Sequence, residues 1–155
     1  MSLDMRPAPR LADNLHDHVE ARLADAGQRY TDGRRQLVEA LRRVDRPLTM
    51  YDILTHVTDM PQSSAYRHLT VLASSGVVHR LAGTDDSGHY ELTDELSGRH
   101  HHHVTCATCG TVADIDASSK LERALEQAAA LAASETGFVI DSHRIDLVGT
   151  CRNCR

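Results

Sequence analysis

Two Cys-x-x-Cys pairs, Cys106 with Cys109 and Cys151 with Cys154, hold every cysteine of the chain, and four histidines, His100 to His103, stand just before the first pair. Two residues between cysteines let both thiolates turn toward one ion, and two such pairs supply the four ligands of a closed tetrahedral zinc site. Any fold that forms this site must bring the C-terminus back beside the strand that ends at Cys106. The competing reading, two disulfides, belongs to smaller, cysteine-dense secreted chains with a leader peptide.

The histidine run is internal and flanked by strand-forming residues. On a strand, successive side chains face opposite ways, so His101 and His103 share one face while His100 and His102 share the other. One run can therefore feed two ions. The alternative is an exposed His-rich tract with incidental metal affinity.

With 155 residues the chain is one domain or two small ones, and a globular chain of this size buries roughly 68 to 70% of its unfolded surface. It has no Trp and a single Phe, Phe138, so aliphatic side chains and alanine fill the core, and a metal cross-link helps a core of that kind. Residues 1 to 10 hold no apolar stretch, and no run of 18 apolar residues occurs. A soluble cytoplasmic protein is expected, with no membrane partner. The net charge of −5 argues against indiscriminate coating of nucleic acid, yet residues 29 to 80 carry 8 Arg against 5 acids. A polyanion is expected to meet the middle of the chain.

Leu11, Leu15, Val19 and Leu23 recur four apart and predict an amphipathic helix over residues 11 to 26, stopped by Gly27. A second helix runs from Arg34 to Val44 and ends before Pro47. Thr49 caps a short third one whose apolar members are Tyr51, Ile53, Leu54 and Val57. Ser63 to Ser74 forms the next, packed through Ala65, Leu69, Leu72 and Ala73 and stopped near Gly76. Val77 to Leu81 and His89 to Leu92 are strand-like and separated by turn-forming residues 83 to 88, which predicts a hairpin. Helices ending in a hairpin are the order of a winged helix-turn-helix, whose last helix enters the major groove. Ser63, Ser64, Tyr66, Arg67 and His68 supply the polar N-terminal end such a helix needs, with Arg67 able to pair with guanine or phosphate. Tyr66 fits a base contact and a core aromatic equally well.

Composition turns polar around residues 94 to 99. The expected organisation is residues 1–94 as an N-terminal helix plus winged-helix domain, 95–99 as a hinge, and 100–155 as an α/β dimerisation and metal-binding domain. The second domain is read as a strand from His100 to Cys106, a zinc knuckle, a strand from Thr111 to Ile115, a helix from Ser119 to Glu135 and a strand from His143 to Val148. The fold class is mixed α/β (α+β). In that last strand His143 alternates with Ile145 and Leu147 and faces inward, as a buried histidine or a ligand beside His100 and His102. Ser119-x-x-Glu122 also reads as a helix capping box, a role that competes with metal ligation by Glu122.

The order Tyr66-Arg67-x-Leu69, Ala73-Ser-Ser-Gly76, a hairpin, His-x-His-x-x-Cys-x-x-Cys-Gly and Gly149-Thr-Cys-x-x-Cys resembles the ferric uptake regulator family over residues 29 to 154, with its zinc-sensing branch nearest. That resemblance implies a homodimeric transcriptional repressor that binds double-stranded operator DNA when a regulatory metal is present. Cys106, Cys109, Cys151 and Cys154 then resemble the structural zinc ligands. His101 and His103 resemble the pair that holds the regulatory ion with a wing residue: His79 where zinc sensors place a ligand, or Glu91 where iron-type members do, with His89 as substitute. His100, His102, Glu122 and His143 resemble an additional site. Arg34, Ser63, Ser64, Tyr66 and Arg67 are the DNA-contact candidates.

The chain departs from the family pattern in places. It has no spare cysteine for the regulatory site, Arg46 and Pro47 stand where iron-type members often supply a histidine, and Thr31-Asp-Gly-Arg34 replaces Thr-x-Gln-Arg. The regulatory metal is read as zinc ahead of iron, manganese or nickel, and a peroxide-sensing relative is the nearby alternative. A zinc-stapled interaction module without DNA binding is the rival of another class. An enzyme is not expected, and no small-molecule substrate: the His-x-Glu and Pro-Cys-x-x-Cys set of zinc deaminases is absent, and neither Cys-x-x-Cys opens a helix in a βαβ unit.

Overall fold

The computed structural model describes residues 14–44, 46–81 and 88–155, and the chain divides into two compact units between Arg99 and His100. The first unit contains α1 (Leu15–Asp25), α2 (Asp32–Arg43), β1 (Leu48–Thr49), α3 (Met50–His56), α4 (Gln62–Ser74), β2 (Val78–Leu81), β3 (His89–Leu92) and α5 (Asp94–Ser97). The second contains β4 (His101–Cys106), β5 (Val112–Asp116), α6 (Ser119–Thr136), β6 (Asp146–Gly149) and a closing 3-10 turn, Arg152–Cys154.

The first unit is built on one aliphatic cluster. Leu15, Val19 and Leu23 of α1 interlock with Leu37, Val38 and Leu41 of α2, Ile53 of α3, and Ala65, Leu69 and Leu72 of α4. The fourfold spacing puts each set on one helix face, and burying a leucine side chain stabilises by about 1.5–3 kcal/mol. Leu11 and the turn at 83–87 lie outside the described residues. α3 begins as expected at Thr49, whose hydroxyl accepts from Asp52 N while Asp52 accepts from Thr49 N in a reciprocal capping box. Its packed face differs from expectation: Met50 is buried and Tyr51 is 77% exposed. In a helix this short the two residues diverge by about 100°, and Met50 takes the inward direction.

The sheet of this unit has the order β1-β3-β2. β2 and β3 form the expected antiparallel pair, with His79 opposite Glu91 and Arg80 opposite Tyr90. The sequence pattern missed β1, because a two-residue strand is too short to show an alternation. It recruits Leu48 to the core by pairing it with Tyr90.

The segment read as a flexible hinge at 95–99 starts as a helical turn. Leu96 of α5 is 4% exposed within the core cluster, and Gly98 closes the turn at φ +70°. Arg22 of α1 holds the same region: it donates to Gly76 O and, at 3.1 Å, to Thr93 Oγ1.

In the second unit β4 is central, antiparallel to β5 and parallel to β6. α6 follows Ser118, the N-cap, whose hydroxyl accepts from Leu121 N at 3.3 Å. No residue of α6 is fully buried, and Leu131 is 60% exposed. Leu147, expected inward, is 53% exposed. The last strand starts at Asp146, so His143 precedes it in irregular chain rather than alternating within it.

Candidate metal centres and nucleic-acid surface

β4 carries Cys106 at its end, and a tight knuckle follows. Gly110, at φ +72°, donates to Cys106 O at 2.9 Å and turns the chain into β5. The parallel strand β6 then delivers Cys151 and Cys154 to the same place, with Ala107 N donating to Gly149 O at 2.8 Å. One ligand atom from each cysteine lies within 4.8 Å of the others. Cys109 Sγ and Cys151 Sγ are 3.7 Å apart, which matches the edge of about 3.8 Å that a zinc–thiolate tetrahedron with bonds of about 2.3 Å requires. The electrostatics agree with a cation site. Cys151 N–H, foremost, and Cys109 N–H hold the Cys106 thiol down to about 6, and the Thr111 hydroxyl lowers Cys109. The Cys154 proton is retained up to about 12, chiefly by the neighbouring Cys151 and Cys109 sulfurs. A divalent ion displaces such a proton, so the donor set fits zinc.

The opposite histidine faces separate as alternation demands. His102 is 1% exposed, and its Nε2 lies 2.9 Å from Glu122 Oε1. Glu122 Oε2 is 2.9 Å from His143 Nε2 and 3.1 Å from His100 Nε2. His100 and His143 approach to 3.0 Å. These four residues each offer an atom within one 4.8 Å cluster. Such separations are close to the edge of about 3.3 Å around a tetrahedral ion with metal–nitrogen bonds of about 2.0–2.1 Å. The competition expected from a capping box at Ser119 does not arise: Ser118 caps α6, one residue earlier, which leaves the Glu122 carboxylate turned to the imidazoles. His102, foremost, holds that carboxyl below its ordinary range, helped by His100 and His143.

On the other face of β4 the rings of His101 and His103 meet edge to face, centroids 4.8 Å apart. His103 is 4% exposed. Its Nε2 is 3.8 Å from Asp114 and its Nδ1 is 3.5 Å from Asp146. Both aspartates are strand partners of His103. Asp114 was missed from sequence, although its alternation on β5 would place it opposite a histidine once the register was known. In the first unit His79 and Glu91 are direct cross-strand partners, and His89 lies two residues before Glu91 on the same face of β3. Glu91 is 8% exposed.

The candidate DNA face lies on the first unit. α4 opens without any acidic residue in its first turn. Ser63, Tyr66 and Arg67 are exposed there, and Arg67 donates to Ser64 Oγ at 3.3 Å. Tyr66, at 39% exposure, is a surface residue rather than a core aromatic. Arg34, in the first turn of α2, is held by Arg29 O and Gln28 Oε1, so its guanidinium is oriented before any ligand arrives.

A model described as the Ferric uptake regulator family matches residues 25–148. The ferric uptake regulation protein of Bordetella parapertussis is 28% identical over 141 residues, covering 88% of this chain and 96% of that protein. The ferric uptake regulator of Helicobacter pylori, described as having three functional metal binding sites, superposes with TM-score 0.70 at 19% identity, covering 97% of each chain. A zinc uptake regulator in complex with zinc and DNA superposes with TM-score 0.55 at 21% identity, covering 95% of this chain and 96% of that one.

Proposed function

This chain belongs to the ferric uptake regulator family of metal-responsive transcription regulators, and from that premise we propose that it is a zinc-responsive, operator-binding repressor. The observation that carries zinc is the nitrogen-rich ligand supply. His79 stands on the wing opposite Glu91, and His101 and His103 stand together on β4; imidazole donors suit zinc, iron and nickel better than manganese, and a histidine at the wing position, where zinc-sensing members of the family place a ligand, puts zinc first. A structural zinc on Cys106, Cys109, Cys151 and Cys154 and an additional ion on His100, His102, Glu122 and His143 complete the metal complement.

The regulatory ion is shared by the wing and β4, so its occupancy restricts how the DNA-binding units are presented. Two recognition helices, α4 of each copy, reach successive major grooves only when held about 34–36 Å apart. A difference of about 2.7 kcal/mol between the bound and free states changes operator affinity about a hundredfold. A second copy of the chain is the partner for the second unit, where Leu131, Phe138, Val139, Ile140, Leu147 and Val148 are all exposed. Iron is the second reading, favoured by the carboxylates Glu91 and Asp114 beside these histidines' strands.

The test is operator binding against buffered free Zn(II), Fe(II), Mn(II) and Ni(II). Zinc should act at the lowest free concentration, and His79→Ala and His101→Ala should each abolish the response while the Cys-bound zinc remains. A retained metal response in both variants sinks the wing–β4 site. A lower threshold for Fe(II) transfers the assignment to iron.

A further inference from the structure

α1 is attached to its unit by more than an apolar stripe. Leu15, Val19 and Leu23 enter the core, while Arg22, half-buried in the last turn of the same helix, carries its guanidinium to segments far along the chain. Nη1 donates to Gly76 O, just beyond the end of α4, and at 3.1 Å to Thr93 Oγ1. A guanidinium near the C-terminal carbonyls of a helix also meets its negative pole. Nη2 comes within 3.9 Å of Glu95 in α5, but the Glu95 side chain is 64% exposed, so that contact is screened and weak.

Gly76 and Thr93 flank the wing, since β2 begins at Val78 and β3 ends at Leu92. They close its base: Thr93 N donates to Val77 O at 3.1 Å, and Thr93 Oγ1 donates to Gly76 O at 3.3 Å while it accepts from Arg22. Thr93 is buried. It is also the N-cap of α5, where a threonine hydroxyl ordinarily accepts from the amides of its own helix. Here it makes no such bond. The hydroxyl serves the junction with Arg22 and Gly76 instead, and α1 packs on α5 alongside.

We propose that Arg22 is a positioning residue for metal-dependent operator binding: it clamps the end of α4, both ends of the wing and the start of α5 into one body, so that restraint of the wing by the regulatory ion reaches the recognition helix. Gly76 and Gly98, both at positive φ, bracket this region in the chain, and glycine leaves the backbone free to turn there. Without the clamp that freedom absorbs the restraint. A planar guanidinium fork suits the task, because it fixes two acceptors in one geometry. The inference rests on the repressor reading proposed above, yet Arg22 itself is assigned to neither metal nor DNA.

The experiment uses full-length wild type, Arg22→Met and Thr93→Val, with a DNA duplex selected by the zinc-loaded wild type from a random pool. Met keeps an unbranched apolar stem without donors, and Val keeps the branched shape of Thr93 without its hydroxyl. Affinity for the duplex is measured at high and at low buffered free Zn(II), and the readout is the ratio of the two. Loss of folded protein alone lowers the active fraction in both conditions and leaves the ratio unchanged. The wild-type ratio should be about a hundredfold. Arg22→Met should reduce it to about tenfold or less, and Thr93→Val, which removes one bond of the clamp, should reduce it by about fivefold. Zinc content per chain should be the same in all three. Hydrogen exchange should quicken in Arg22→Met at Thr93, Leu96 and Ser97, whose amides donate to Val77 O and Thr93 O, while Leu37 and Val38 of α2 stay protected. The proposal is overturned, and the repressor reading stands, if both variants keep the wild-type ratio or if the α5 amides keep their protection in Arg22→Met. If Arg22→Met fails to fold, Thr93→Val decides by the same two readouts. If the wild type selects no duplex with any of the four metals, both readings are overturned.

Discussion

Removing the zinc proposed on Cys106, Cys109, Cys151 and Cys154 should free β6 while leaving the first unit intact. The strand is attached through four parallel register pairs, from His103 with Asp146 to Cys106 with Gly149. All four of its residues are exposed, so the described chain supplies it with no apolar burial. Fixing four backbone residues costs about 4–8 kcal/mol, and a comparable number of strand hydrogen bonds contributes about 2–6 kcal/mol. The His103–Asp146 contact, with Asp146 52% exposed, adds under about 1 kcal/mol. Within a single copy those terms leave β6 near or below balance, whereas a structural zinc contributes about 10–16 kcal/mol. The perturbation is Cys151→Ser with Cys154→Ser, alongside chelation of the wild type. Hydrogen exchange should show rapid labelling at residues 146–149 in both, with α2 and α4 amides still protected. The reasoning is refuted if zinc content falls by one ion per chain and residues 146–149 keep their protection.

Four further outcomes are expected. Glu39 accepts from Arg42 and contacts His16, Arg42 foremost holding its carboxyl down to about 2. A shift of that size would be about 3 kcal/mol in a shielded site, and solvent screening reduces it to about 1 kcal/mol. That contribution is complete above pH 4.5 and is lost as pH falls toward about 2, so urea unfolding of Glu39→Gln should show a gap from wild type that shrinks in acid. Thr49→Ala removes one half of the capping box and should cost about 1 kcal/mol, lowering the melting temperature of the first unit by about 4–8 °C. Glu122→Gln should lower bound metal by one ion per chain, measured by elemental analysis, with the cysteine-bound zinc retained. Phe138→Glu places a charge where the side chain is 70% exposed in the single copy, and sedimentation should show the proposed dimer shifted toward monomer.

Local signals read directly. Thr49 with Asp52 announced a helix start, Leu15, Val19 and Leu23 announced a buried face, and two Cys-x-x-Cys pairs announced a cluster of four cysteines. Signals that depend on a partner strand or a neighbouring helix did not read. Leu48–Thr49 pairs with β3 but shows no alternation of its own. Tyr51 and Met50 compete for one inward direction, which only the packing of α3 decides. Asp114 is an ordinary surface acid until the β4–β5 register sets it across from His103.

The sequence by itself determined the kinds of ligand available, their division between two faces of β4 and the helical stripes of the first unit, because spacing along a strand or helix is a local property of the backbone. Tertiary structure decided which carboxylate each imidazole meets. It turned Glu122 from a cap into a neighbour of His100, His102 and His143, and it brought His68 down on Gly33. Both outcomes depend on where a distant segment lies, and the physical reason is that contact between residues far apart in the chain is fixed by packing and register rather than by any local preference.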